Sequence, residues 1–271
     1  STLYWDQNTQ MPKRGSSWRG EQLSYLARLL HSRQSSNEYQ NLLEEAQNEF
    51  NNLCTKGDLK PQEIEEKERN LELLLQDFTR QKSLDSELVS NLAKAKSEGY
   101  ELWQEAKNTN NFRLFEPALK KLILLRKEQS MQLSEPRSCW ETLAQPFEPD
   151  ITLERIKGLF DPLREVLPDL LEKVRSQDQP EFPLWDLDIS IQEKLCNLLL
   201  NSWGRDPNVS AVSRSPHPFS STLGPKDFRI TTRFVQGQPL SSFLATAHEW
   251  GHSLYEQGLN FQSHQWFSWP L

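Results

Sequence analysis

Pro239-Leu240-Ser241-Ser242-Phe243-Leu244-Ala245-Thr246-Ala247-His248-Glu249-Trp250-Gly251-His252-Ser253-Leu254-Tyr255-Glu256-Gln257-Gly258 decides how this chain is read. Proline suits the first position of a helix and glycine its end. Between them Phe243, Leu244, Ala247, Leu254 and Tyr255 supply the apolar positions of a single helix. Residues four apart on a helix share a face, so His248 and His252 can aim their imidazole nitrogens at one zinc ion. Glu249 lies one step round the axis, within reach of a metal-bound water. Zinc lowers the pKa of that water to about 7. The carboxylate can then take its proton and pass it to a leaving amine. Ala245 to Ala247 and Ser253 to Tyr255 carry no charge, as a buried catalytic helix requires. Gly251 permits close backbone approach at a cost in helix propensity. The competing reading of the same five residues is a pair of surface histidines on an amphipathic helix.

A catalytic zinc takes three protein ligands and keeps one position open. Glu256 is displaced from the histidine pair by a further turn, and His264 on the following segment is a formal candidate. The simplest expectation places the third ligand beyond Leu271. The chain opens Ser1-Thr2-Leu3-Tyr4-Trp5 without an initiator Met and closes on the aromatic run Gln265 to Leu271, so both ends read as cut from a longer protein.

Upstream of the helix, Asp227 to Phe234 alternates. Phe228, Ile230, Thr232 and Phe234 fall on one face and Arg229, Thr231 and Arg233 on the other, which predicts a strand with one buried side. A strand beside a zinc helix can pair with extended substrate, and this one is the candidate. Arg229 or Arg233 can hold a terminal carboxylate through paired hydrogen bonds, but pairing with a neighbour such as Asp227 is the simpler reading. From Asp206 to Pro239, Ser, Pro and Gly are frequent and helical periodicity stops.

Before that region the chain reads as helices. Apolar residues recur helically from Ser16 to His31 at Trp18, Leu23, Leu26, Leu29 and Leu30. Ser36 caps and Gly57 ends the next helix, and Pro61 opens the one after. Ser86 to Asn108 turns Leu88, Leu92, Trp103 and Ala106 inward, and a fifth helix follows Pro117. Glu135 to Asp150 reads as a connection. Thr152 to Val174 is helical, with Pro162 and Pro168 expected to kink or divide it. Ser190 and Glu193 form a capping-box pattern for a helix that Gly204 ends. The expected organisation is a helical body over 1–205, then a loop, strand and zinc-helix region over 206–271. The fold class is mainly α, a helical zincin-like metallopeptidase with a small β element beside the His-Glu-x-x-His helix.

Composition narrows the class. Lys+Arg is 31 against Asp+Glu 38, a net charge of −7, so no basic field exists to neutralise phosphates, and neither nucleic acid nor an anionic membrane is an expected partner. No apolar run approaches the roughly 18 residues of a membrane span, and no signal-peptide core opens the chain. Mean hydropathy is −0.73, polar enough to approach disorder, but 10% aromatic content and periodic apolar spacing argue for long helices with wide solvated faces. Cys54, Cys139 and Cys196 stand far apart, which fits reduced thiols in the cytoplasm better than a disulfide framework.

Three ordered elements make the motif specific. His217-Pro218-Phe219, Asp227-Phe228-Arg229-Ile230-Thr231-Thr232-Arg233-Phe234 and His248-Glu249-Trp250-Gly251-His252 together resemble the carboxypeptidase Taq family of metallocarboxypeptidases, as do Trp5-Asp6-Gln7, Met11-Pro12 and the helix pair joined through Cys139 to Asp150. The resemblance spans essentially the whole chain. It implies a mostly helical, usually homodimeric enzyme that removes single residues from peptide C-termini with zinc or a related divalent metal, cobalt or manganese included. By that resemblance His248 and His252 are metal ligands, Glu249 is the general base, and His217 lies near the substrate. The family's third ligand, a glutamate in a later element, falls past Leu271, as do residues that hold the substrate's carboxylate. The present chain alone is therefore expected to be inactive. Two other readings remain: another helical peptidase of the same motif, an oligopeptidase or dipeptidyl carboxypeptidase, or a non-catalytic helical binding protein derived from such a fold.

Overall fold

The computed structural model describes residues 1–178 and 186–259. Helices dominate: α1 (Thr2–Thr9), α2 (Ser16–Gln34), α3 (Asn37–Lys56), α4 (Pro61–Lys82), α5 (Ser86–Asn108), α6 (Glu116–Leu133), α7 (Cys139–Ala144), α8 (Leu153–Arg175), α9 (Ile189–Ser202) and α10 (Pro239–Gly258). Strands β1 (Ser210–Arg214), β2 (Ser220–Gly224) and β3 (Asp227–Thr232) form a small sheet. The chain is therefore mainly α with a small β element, as its sequence predicts. It divides into two compact units, Ser17–Pro180 and a second composed of Ser1–Ser16 with Glu181–Leu271. By contact, α9 belongs to the same unit as the sheet and α10.

The helical unit starts and stops its elements where local chemistry directs. Ser36 accepts the Tyr39 amide hydrogen at 3.1 Å to open α3, and Gly57, at φ +71°, closes it in the left-handed conformation that glycine adopts freely. Asp85 caps α5 by accepting from the Glu87 amide at 3.1 Å. Leu84, Leu88 and Leu92 then bury against Val89, Leu125 and Leu133, joining α5 to α6. Gly99 lets the two helices close in, since a Cβ there would stand 3.2 Å from the Leu122 side chain.

Three local expectations are corrected. The 135–150 connection contains α7, opened by a reciprocal cap in which Ser138 Oγ accepts from the Glu141 amide and Glu141 Oε2 accepts from the Ser138 amide at 3.0 Å. The α9 cap is Asp188 rather than Ser190, which lies inside the helix. Pro162 and Pro168 do not divide α8, which runs unbroken from Leu153 to Arg175. Apart from the half-buried Ile156, α8 is exposed along its length, so water can satisfy the carbonyls that the two prolines release.

Burial also departs from the apolar pattern. In α2 the buried residues are Arg19, Gly20, Ser24 and His31, while Trp18, Leu26, Leu29 and Leu30 are exposed. His31 earns its place through a 2.9 Å hydrogen bond between Nε2 and the Gln81 carbonyl, and Ser24 through a 2.6 Å contact with Ser90 Oγ. In α8, Leu159, Phe160, Leu163, Val166, Leu167, Leu170, Leu171 and Val174 are all exposed.

In the other unit the strand order is β1-β3-β2, with β1 parallel and β2 antiparallel to β3. The register pairs Ser210 with Phe228 and Ser220 with Ile230. Since β3 is central it is buried on both faces: Phe228, Ile230 and Thr232 on one side, and Thr231, 0% exposed, on the other. That replaces the expected single buried side. Leu200 of α9, Ile230 of β3 and Trp250 of α10 form its core, with Val212 of β1 packed against them.

Candidate metal centre

The sequence Pro239–Gly258 folds as one helix, α10, with Pro239 at its first position after a turn through Gly237 at φ +72°. It packs on α9, β2 and β3. Its buried residues are Pro239, Ser242, Thr246, Glu249, Trp250 and Ser253. The apolar residues Leu240, Leu244, Leu254 and Tyr255 are exposed. Only Trp250 among the inward side chains is large and apolar, so the helix is seated mainly through hydroxyls. Thr246 Oγ1 donates to the Ser242 carbonyl at 2.8 Å and stands 3.0 Å from Thr232 Oγ1. Ser242 Oγ reaches Gln192 Oε1 and the Pro239 carbonyl, each at 2.9 Å. Buried hydroxyls without partners would be costly, and these are satisfied. The Cys196 thiol sits against the same seam, and burial pushes its pKa up.

His248 and His252 project from the opposite, exposed side. Their rings lie 4.7 Å apart between centroids at 88°, and the two Nε2 atoms converge to 3.1 Å. Two nitrogens bound tetrahedrally at about 2.0–2.1 Å from one zinc stand roughly 3.3 Å apart. The pair therefore fits a shared metal ion with an adjustment of a few tenths of an ångström. Glu249, 8% exposed, turns toward the protein side of the helix. Among the described residues no group of three His, Cys, Asp or Glu side chains is placed to hold a metal. Glu256 does not join the histidines, although its Oε2 is buried without a hydrogen-bond partner. His264 and Leu271 lie outside the described residues.

His217 sits on the loop between β1 and β2 and is exposed, its Nδ1 2.7 Å from the Pro218 carbonyl. The loop is held by Thr231. Phe219 N donates to Thr231 Oγ1 at 2.9 Å, Thr231 N to the Phe219 carbonyl at 2.8 Å, and Ser215 Oγ lies 2.6 Å from Thr231 Oγ1. Arg229 makes two 2.7 Å hydrogen bonds to Asp227, through Nε to Oδ1 and a terminal nitrogen to Oδ2. That hydrogen-bonded guanidinium holds the Asp227 carboxyl below the usual carboxylate range, and the Asp227 carboxylate raises the pKa of Arg229 in return. The guanidinium also lies 5.6 Å over the Trp5 ring, which meets Phe219 edge-on at 5.5 Å. Trp5, Phe219, Asp227 and Arg229, scattered over the chain, thus form one packed group. Arg233 is exposed. Because β1 and β2 occupy both edges of β3, that strand cannot pair with an extended peptide, and such pairing would fall to an outer strand.

Residues 1–269 match the family model of the carboxypeptidase Taq (M32) metallopeptidases. The chain belongs to that family. This M32 chain is 30% identical over 267 residues to thermostable carboxypeptidase 1 of Thermus thermophilus, covering 94% of itself and 51% of that protein. It superposes on the BsuCP crystal structure with a TM-score of 0.87 at 26% identity, over 97% of this chain and 51% of that one. For the M32 carboxypeptidase of Deinococcus radiodurans R1 the TM-score is 0.76 at 27% identity, with 97% and 51% covered. The M32 chain thus spans about half the length of the curated relatives it matches. Sequence reasoning missed Thr231 and Gln192 as structural nodes around the candidate site. The first carried a signal, as the one small polar residue on the outer face of an otherwise Arg-bearing strand. The second carried none.

Proposed function

We propose that this chain carries the metal-binding part of a carboxypeptidase that releases single amino acids from peptide C-termini. The observation that carries the reading is the convergence of His248 and His252 Nε2 to 3.1 Å on α10, with Glu249 as the next residue along. In this reading His248 and His252 hold a divalent metal, zinc by preference since imidazole nitrogens suit it, with a third ligand from outside the described residues. The bound metal supplies Lewis-acid activation of water and of the scissile carbonyl. Glu249 takes the proton of the attacking water and delivers it to the leaving amine. His217 is assigned to substrate binding, on a loop fixed by Thr231. Arg229 is assigned to structure, because Asp227 already occupies its hydrogen-bonding fork.

Cys54, Cys139 and Cys196 are all free thiols, which fits action in the reducing cytoplasm. Among the described residues no helix is long and apolar enough to cross a membrane.

The test uses the protein purified from its source, with metal content measured by mass spectrometry and N-blocked peptides as substrates. Free single amino acids are the expected product. Glu249→Gln is expected to keep the metal and lose about 10²- to 10⁴-fold in turnover. Release of dipeptides or internal fragments would assign another peptidase. Metal binding without turnover would make it a binding protein.

A further inference from the structure

We propose that Gln192 is a positioning residue for the histidine pair, setting the axial register and rotation of α10. The inference rests on the metal reading of His248 and His252. Gln192 is 1% exposed on α9, and its amide ties together three stretches of chain. Nε2 donates to the Leu187 carbonyl at 2.9 Å, ahead of α9, and to the Val235 carbonyl at 3.0 Å, in the segment that leads from β3 into α10. Oε1 accepts from Ser242 Oγ at 2.9 Å, in the first turn of α10. The amide cannot be flipped, since an oxygen facing two carbonyls would have nothing to accept. All its polar atoms are used.

The need for such a tie follows from what α10 buries. Apart from Trp250 and the opening Pro239, its inward face is Ser242, Thr246, Glu249 and Ser253, small or polar side chains with little shape to resist sliding or turning. Directional hydrogen bonds must supply what a row of interlocking leucines would otherwise give. A slip of one residue moves each histidine about 1.5 Å along the axis and about 100° around it. Either displacement takes both nitrogens away from a common ion. Between Ser242 and His248 runs uninterrupted helix, about 9 Å at about 1.5 Å per residue, so fixing the first turn fixes the histidines. Thr246 and Thr232 reinforce the register one turn further on, at 3.0 Å.

The test compares the intact protein as it occurs in its source with its Gln192→Met variant, which preserves volume and removes every hydrogen bond, and its Ser242→Ala variant, which removes one hydroxyl. Zinc ion alone is titrated calorimetrically at a temperature well below each variant's Tm, and the imidazole resonances of His248 and His252 are followed by NMR. Gln192→Met is expected to raise the zinc Kd about tenfold or more and to split or broaden both imidazole signals. Ser242→Ala is expected to raise Kd about threefold, and the double variant to be no weaker than Gln192→Met, because both changes break the same link. A purely structural role would lower Tm and leave Kd and the imidazole signals unchanged, and that result overturns the proposal. Should Gln192→Met fail to fold, an unchanged Kd in Ser242→Ala overturns it equally. Failure of the unaltered intact protein to bind zinc would instead overturn the metal reading itself.

Discussion

Replacing Thr231 by Val should loosen the His217 loop without disturbing the sheet. The two side chains share a shape, and the site is 0% exposed, so packing is preserved and only the hydroxyl is lost. That hydroxyl accepts the Phe219 amide hydrogen at 2.9 Å and lies 2.6 Å from Ser215 Oγ. Ser215 keeps an alternative acceptor in the His217 carbonyl at 2.5 Å, and the Phe219 carbonyl keeps the Thr231 amide at 2.8 Å. The Phe219 amide loses its acceptor. A stranded partly buried donor costs about 1–3 kcal/mol, and the lost hydroxyl contact about 1 more, partly offset by burying a methyl in its place. We expect about 2 kcal/mol less to open the loop, which at 1.4 kcal/mol per decade is about 30-fold faster amide hydrogen exchange. The assay is exchange at Phe219 and Thr231, with Thr231→Ser as the control that restores the acceptor. Acceleration below about threefold in Thr231→Val, or equal acceleration in the Ser variant, would refute the assignment of Thr231 as the holder of this loop.

Four further outcomes are expected. Leu200→Ala removes a fully buried side chain from beneath Trp250, and should cost its unit about 3 kcal/mol, read as a fall in the urea midpoint by near-ultraviolet circular dichroism. Arg229→Met should return the Asp227 pKa upward in an NMR titration; since the native carboxyl is depressed, the pair's contribution is full above the unfolded pKa of about 3.9 and fades as pH falls through the folded value, so the variant should lose less stability over that acid range. Glu141 should titrate at about 2, held down first by the Ser138 hydroxyl and then by the Leu153 and Ser138 amides, and Ser138→Ala should raise it. Chelation of the metal from the source protein should abolish turnover, and added zinc should restore it; unchanged turnover in chelator would end the metallopeptidase reading.

What the sequence made legible was local. Ser36, Gly57, Pro61 and the Pro239–Gly258 helix lie where their own side chains direct, because capping and proline geometry act within a turn. The histidine pair was legible for the same reason, since its spacing is a property of one helix. Strands β1 and β2 were not. Ser210–Arg214 and Ser220–Gly224 are short and rich in serine, and they exist as strands because β3 lies between them. The α7 cap was written in Ser138 and Glu141 but sits among prolines that suggest a loop.

The harder failure concerns which face of a helix is buried. Hydrophobic periodicity finds helices reliably because it repeats along one segment, yet it reports only which face would gain from cover. Covering depends on a partner elsewhere in the chain. In α10 the covered face is the polar one, because Thr232 and Gln192 offer hydrogen bonds that make burial of Ser242 and Thr246 affordable. The same logic explains why Gln192 was invisible. It lies far from the motif it serves, it is not an ionisable group, and nothing in its own neighbourhood marks it. A motif names the atoms that meet a metal. The atoms that hold the motif still are chosen by the fold, and in this chain they are ordinary amides and hydroxyls satisfied by one another, which is why their substitution should be felt at the histidines before it is felt in the helix.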